Sequence, residues 1–122
     1  MRKNTGEMAT RCLRHLESYD FDEVRAMCTE TATVWHNDGK GDQTIDEKLE
    51  QLKPLADMVG SLRFDITRQF HSANEVLQQH VLRLTMPDGS RSEVHAAMYF
   101  RFDGYLIDRM EEYAYAYEVR PA

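Results

Sequence analysis

Proton-transfer chemistry in this chain would start from a few histidines and carboxylates. His36 directly follows the only Trp, in the stretch "TATVWHNDGKG". An imidazole in ordinary surroundings changes charge near pH 6.5, so it can take or give a proton near neutrality. His80 stands in "VLQQHVLRL" and Glu112 in "RMEEY". A buried glutamate beside an imidazole is a good acid–base pair, because burial raises the carboxyl pKa and the imidazole lowers it again. Each residue also has a plainer reading. His36 can be a strand-end side chain bonded to a carbonyl, and His80 a ring facing solvent or a second subunit. Glu112 or its neighbour Glu111 can simply pair with Arg109 or Arg101 on the surface.

Other chemistries find less support. The chain has 5 His, but none pair as HxH or HExxH, so no metal site is expected. The 2 Cys, Cys12 and Cys28, lie in apolar helical stripes without metal spacing, which predicts buried free thiols and suits a cytoplasm. Net charge is −6 with no Lys/Arg cluster, which argues against nucleic acid and against a polybasic membrane contact. The N-terminus has a basic start without an apolar run, so no signal peptide is expected. No stretch approaches the roughly 18 apolar residues of a membrane span.

The elements that must position these side chains follow from periodicity. A length of 122 residues predicts one domain, 1–122, with its core at about 5–117. Met8, Cys12, Leu13, Leu16 and Tyr19 recur at helical spacing. Asp20 with Glu23 reads as a capping box for a short helix burying Phe21, Val24, Met27 and Cys28. "TATVW" reads as a short strand and "NDGKGD" as a solvated loop containing Asp38, Lys40 and Asp42. Thr44 with Glu47 is a second capping signature. The helix after it carries Ile45, Leu49, Leu52, Leu55, Ala56 and Val59, with a break expected at Pro54.

Beyond Gly60 the pattern alternates. "SLRFDITRQFH" places Leu62, Phe64, Ile66 and Phe70 on one face. "EVLQQHVLRLTM", "RSEVHAAMYFRF" and "YLIDRMEEYAYAYEV" complete an antiparallel meander joined by "SAN", "PDGS" and "DG" turns. In the last strand Asp108, Met110, Glu112 and Ala114 share one face, and Ile107, Arg109, Glu111 and Tyr113 the other. If Gln78, His80, Leu82 and Leu84 face inward, a pocket gains an amide and an imidazole, but a one-residue slip reverses the set. Helices followed by such a meander imply an α+β fold, with helices packed on one face of a curved sheet.

That order, with "YDFDEVRAMCTETATVWHNDG" and "YFRFDGYLIDRMEEY", resembles the nuclear transport factor 2-like superfamily and its SnoaL-like branch. The resemblance implies a cone-shaped, mostly antiparallel sheet wrapped around N-terminal helices, a pocket between them, and dimers through the outer sheet face. Against the ketosteroid isomerases of that superfamily, the catalytic carboxylate falls on His36, the oxyanion-hole Tyr on Cys12 and the oxyanion-hole Asp on or near Met98. Cys is a weak donor and Met donates nothing, so that reaction is not expected. Against the epoxide hydrolases, the Arg of the Asp–Arg–Asp set falls on His80, its partner Asp on Leu82 and the other Asp on Glu112.

The resulting expectation is a cofactor-independent protein that binds a mostly apolar small organic molecule. Its acid–base chemistry would be of isomerase, cyclase, dehydratase or hydrolase type. His36 and Glu112 are the expected catalytic pair. Trp35, Cys12, Leu16, Gln78, His80, Met98 and Phe100 are the expected pocket. The alternative is a binding or protein-interaction module of the same fold, which a plugged pocket would favour. The row Tyr113, Tyr115 and Tyr117, with Tyr99 and His95, is the expected homodimer face, since aromatic rings with wet hydroxyls suit interfaces.

Overall fold

The computed structural model describes residues 3–119, with side chains described through residue 115. Helix α1 (Thr5–Glu17) begins where the Asn4 side chain accepts the Glu7 N–H at 3.0 Å. It buries Met8, Ala9, Cys12 and Leu13. Helix α2 (Phe21–Ala26) lacks the expected capping box, because Asp20 makes no side-chain cap bond. The Asp20 carboxylate lies instead 3.4 Å from His15 Nδ1. Cys28 was expected on this helix but opens strand β1 (Cys28–His36), where the β-branched run that follows favours extended backbone.

The segment read as loop contains a further strand, β2 (Asp42–Thr44), paired antiparallel with β1. Asp42 is not merely solvated: its two carboxylate oxygens meet the Arg109 guanidinium at 3.1 and 3.2 Å. This bidentate contact ties the edge strand to the sheet. Helix α3 (Ile45–Leu52) starts with the predicted Thr44–Glu47 capping box, both bonds at 3.1 Å. It stops before Pro54, after which the short α4 (Leu55–Met58) follows. Proline has no N–H to continue the ladder, so the break falls where the sequence placed it.

Strands β3 (Ser61–His71), β4 (Glu75–Thr85), β5 (Arg91–Asp103) and β6 (Leu106–Val119) form the meander. The 6-stranded sheet has the order β2-β1-β6-β5-β4-β3. All neighbours are antiparallel except β1 and β6, which are parallel. Two irregularities reassign side chains. Thr67 is an extra residue between Ile66 and Arg68, so the parity of β3 inverts beyond it. Phe70, expected inward, is 65% exposed on the outer face, and Gln69 turns inward to α1. Asp108 is likewise extra between the Arg101 and Phe102 pairings. Ile107, expected opposite Met110, therefore joins it in the core, while Asp108 binds Arg101 at 2.7 Å. The core lies between the helices and the inner sheet face, with Phe100, Leu13, Ile45 and Ile107 fully buried.

Candidate active site

His36 closes β1 on the same face as the buried Ala32 and Val34, following the period-2 alternation of a strand. The next residue fixes its register. Asn37 donates its backbone N–H to Glu112 O at 3.3 Å and its Nδ2 to Ala114 O at 3.2 Å. Its Oδ1 accepts the Ala114 N–H at 3.0 Å. This clamp prolongs the parallel β1–β6 pairing and sets His36 beside Glu112.

His36 Nε2 lies 3.1 Å from Glu112 Oε1, and His80 Nε2 lies 3.3 Å from Glu112 Oε2. The His80 contact lies off the hydrogen-bond line, and that buried nitrogen has no hydrogen-bond partner among the described residues. Burial pushes the Glu112 pKa up, but the two imidazoles outweigh it, and the carboxyl falls from an ordinary 4.5 to about 2. Glu112 is therefore an ionised carboxylate with an imidazole nitrogen close to each oxygen. The plainer reading, a surface pair with Arg109 or Arg101, belongs instead to Glu111, which holds Arg109 Nε at 2.6 Å.

A chain of amides sets the tautomer of His80. Gln69 Nε2 donates to the Gly6 carbonyl at 3.2 Å, and a backbone carbonyl can only accept. The same Nε2 donates to Gln78 Oε1 at 3.0 Å, which leaves Gln78 Nε2 to face His80 Nδ1 at 2.9 Å. His80 Nδ1 is thus an acceptor, and the proton of a neutral His80 sits on Nε2, toward Glu112. His36 carries no such constraint: with Nε2–H toward Glu112, its Nδ1 is the nitrogen left to take a proton.

His36 and Glu112 border a cavity of about 300 Å³. Its polar lining is His36, Lys48 and Glu112, and its apolar wall includes Leu13, Leu16, Phe64, Leu82, Met98 and Met110. That volume is at the lower end for small-molecule sites. Of the expected pocket residues, Leu16 and Met98 do line it, as do His36 and Glu112. Several others do not. Trp35 points to the outer face, 4.9 Å from the Tyr113 ring, because it alternates with His36. Cys12 and Phe100 are packed in the core behind the cavity, fully buried. Burial also raises the thiol pKa of Cys12, far above the ordinary range. Gln78 and His80 face inward but stand behind Glu112 as its support, not in the cavity wall.

Lys48 was missed in the sequence. Its signal was position: Ile45, Lys48, Leu49 and Leu52 are spaced i, i+3, i+4, i+7, so a lysine occupies the apolar face of α3. Among the described residues, no group of three or more His, Cys, Asp or Glu is arranged to hold a metal ion. No helix among them is long and apolar enough to cross a membrane.

Residues 9–110 match the family of the SnoaL-like domain. The chain belongs to that family. Solved structures share its fold over nearly their whole length. One is an LEH-like epoxide hydrolase from M. tuberculosis, 20% identical, with TM-score 0.73, covering 92% of this chain and 86% of that one. A candidate SnoaL-like polyketide cyclase from Shewanella putrefaciens is 10% identical, with TM-score 0.78 and coverage of 93% and 91%. A protein with a ketosteroid isomerase-like fold from Catenulispora acidiphila, in complex with trimethylamine, is 14% identical, with TM-score 0.74 and coverage of 88% and 84%. At these identities the likeness is one of fold. No curated protein matches the chain by sequence. In this SnoaL-like domain, as in the wider fold, chemistry must be argued from the site.

Proposed function

We propose that this SnoaL-like domain is a cofactor-independent enzyme that moves a proton on a mostly apolar organic substrate. The observation that carries this reading is the His36–Glu112 contact of 3.1 Å in the wall of an open apolar cavity. A carboxyl held near 2 is too weak a base for neutral pH, so Glu112 orients and His36 acts. His36 Nδ1 takes a proton from the substrate or from a water attacking it. The imidazolium that forms is stabilised by the Glu112 carboxylate, and His80 holds that carboxylate in place. The imidazolium, whose proton exchanges with solvent through the open cavity, then returns a proton to complete an isomerisation, cyclisation, dehydration or hydration. The polyketide cyclase and epoxide hydrolase among the fold relatives are compatible with such proton transfers. Free Cys12 and Cys28 suit a reducing compartment such as the cytoplasm.

The test is a panel of apolar cyclic ketones and epoxides in D₂O, read by mass spectrometry for α-deuteration and diol formation. Wild type should accelerate at least one by about 10²-fold or more over buffer. Leu52→Trp, at the cavity wall, should stop turnover with the melting temperature retained. Ligands that bind without any reaction would instead favour a non-catalytic binding module.

A second part of the proposal concerns assembly. The outer sheet face exposes Tyr113, Tyr115, Leu77 and Phe70, and Tyr115 is 68% exposed. The backbone register lines Tyr115 up with His95, and Tyr99 with Glu111 and Leu77. The Tyr117 side chain lies outside the described residues. Exposed aromatic area on this scale supports a homodimer through this face. Sedimentation of wild type should give a dimer and Tyr115→Glu a monomer; a dimer in both would reject this face.

A further inference from the structure

Lys48 is half-buried in the cavity wall, yet makes no hydrogen bond or ion pair with any described residue. Lys53, five residues further on at the end of α3, is paired with Glu50 at 2.6 Å. The carboxylate in the cavity makes no ion pair with Lys48: the contacts of its two oxygens are with His36 and His80. A half-buried ammonium without a partner is unfavourable, and on the apolar face of α3 a leucine would pack better. Burial accordingly lowers the Lys48 pKa, with the charges of Glu112 and Asp38 opposing.

An ammonium has three donors and no acceptor. Its complement is therefore an oxygen, and preferably one that carries negative charge. Everything else around the cavity, apart from His36 and Glu112, is aliphatic, aromatic or thioether. We propose that Lys48 seats the polar end of the substrate, and that this substrate is an apolar molecule bearing a carboxylate, or a carbonyl whose oxygen becomes an enolate. The lysine thereby supplies the oxyanion stabilisation that Cys12 and Met98 cannot. In the enolate case His36 removes the α-proton, the C–H electron pair forms the new C=C bond, the carbonyl π pair moves to the oxygen, and Lys48 faces the charge that develops there.

The inference rests on the cavity being a small-molecule site, and the test separates the two ideas. Calorimetry compares hexanoate, octanoate and 4-phenylbutyrate with their matched primary alcohols. Wild type should prefer each acid by about 10-fold or more, the range of a hydrogen bond to a charged group. Lys48→Met and Lys48→Gln should abolish the preference while leaving the alcohols within about 3-fold, and Lys48→Arg should retain part of it. Equal binding of acids and alcohols by wild type, or a preference that survives in Lys48→Met, overturns the role of Lys48 alone. Binding of neither series overturns both the inference and the small-molecule reading beneath it.

Discussion

His36→Gln lowers turnover of any substrate found by about 10²–10⁴-fold while changing its affinity only a few-fold. The choice of glutamine isolates the chemistry. Its amide can still donate a hydrogen bond toward Glu112, where His36 Nε2 now lies 3.1 Å away. What it cannot do is accept a proton near neutral pH. The volume change is small, so the Asn37 clamp and the β1–β6 register should persist. The expected signature is a fall in kcat with little change in KM and an unchanged melting temperature, since the lost interaction exists only as the proton moves. His80→Gln should act less severely, because His80 supports Glu112 from behind the cavity wall and does not meet the substrate. A His36→Gln protein that keeps its rate would remove His36 from the chemistry and move the base to another group.

The contrast between what could and could not be read in advance has a physical basis. β3 to β6 were legible because apolar alternation and the "PDGS" and "DG" turns are local signals. The break at Pro54 and the Thr44 cap were legible for the same reason. The bulges at Thr67 and Asp108 leave no trace in composition, yet each inverts a face, which is why Phe70 and Ile107 were misplaced. The β2 strand is only three residues long and is held by Arg109, 67 positions away, so nothing near it announces it. The parallel pairing of β1 with β6 is equally remote. Yet it decides that Glu112, and not Glu111, meets His36. Trp35, expected in the pocket, lies on the outer face, because neighbours along a strand point to opposite faces. Cys12 came from a family position, where the present side chain is too small and too buried to reach a ligand. Lys48 went unnoticed although its spacing marked it, because a charge in an amphipathic helix is usually a solvated one.

Glu112→Gln should be less stable than wild type by about 3 kcal/mol at pH 6, and the difference should disappear as the solution is acidified. The Glu112 pKa is depressed in the folded protein, to about 2 from an ordinary 4.5. The sign follows: the ionised carboxylate stabilises the native state fully above about 4.5, and that stability drains away as pH falls through about 2. Glutamine is the uncharged mimic of the protonated acid, so it has nothing to lose across this window. Urea unfolding at pH 6, 4 and 2.5 measures it, with wild type falling toward a flatter Glu112→Gln curve. A constant gap between the two proteins would mean that Glu112 is not held ionised by His36 and His80. The result also bears on catalysis. Only a carboxylate that stays charged at working pH can stabilise the His36 imidazolium, and the two imidazole contacts that keep it charged also make it a poor base. If the gap closes on acidification, proton transfer falls to His36, and Glu112 serves as its fixed counter-charge.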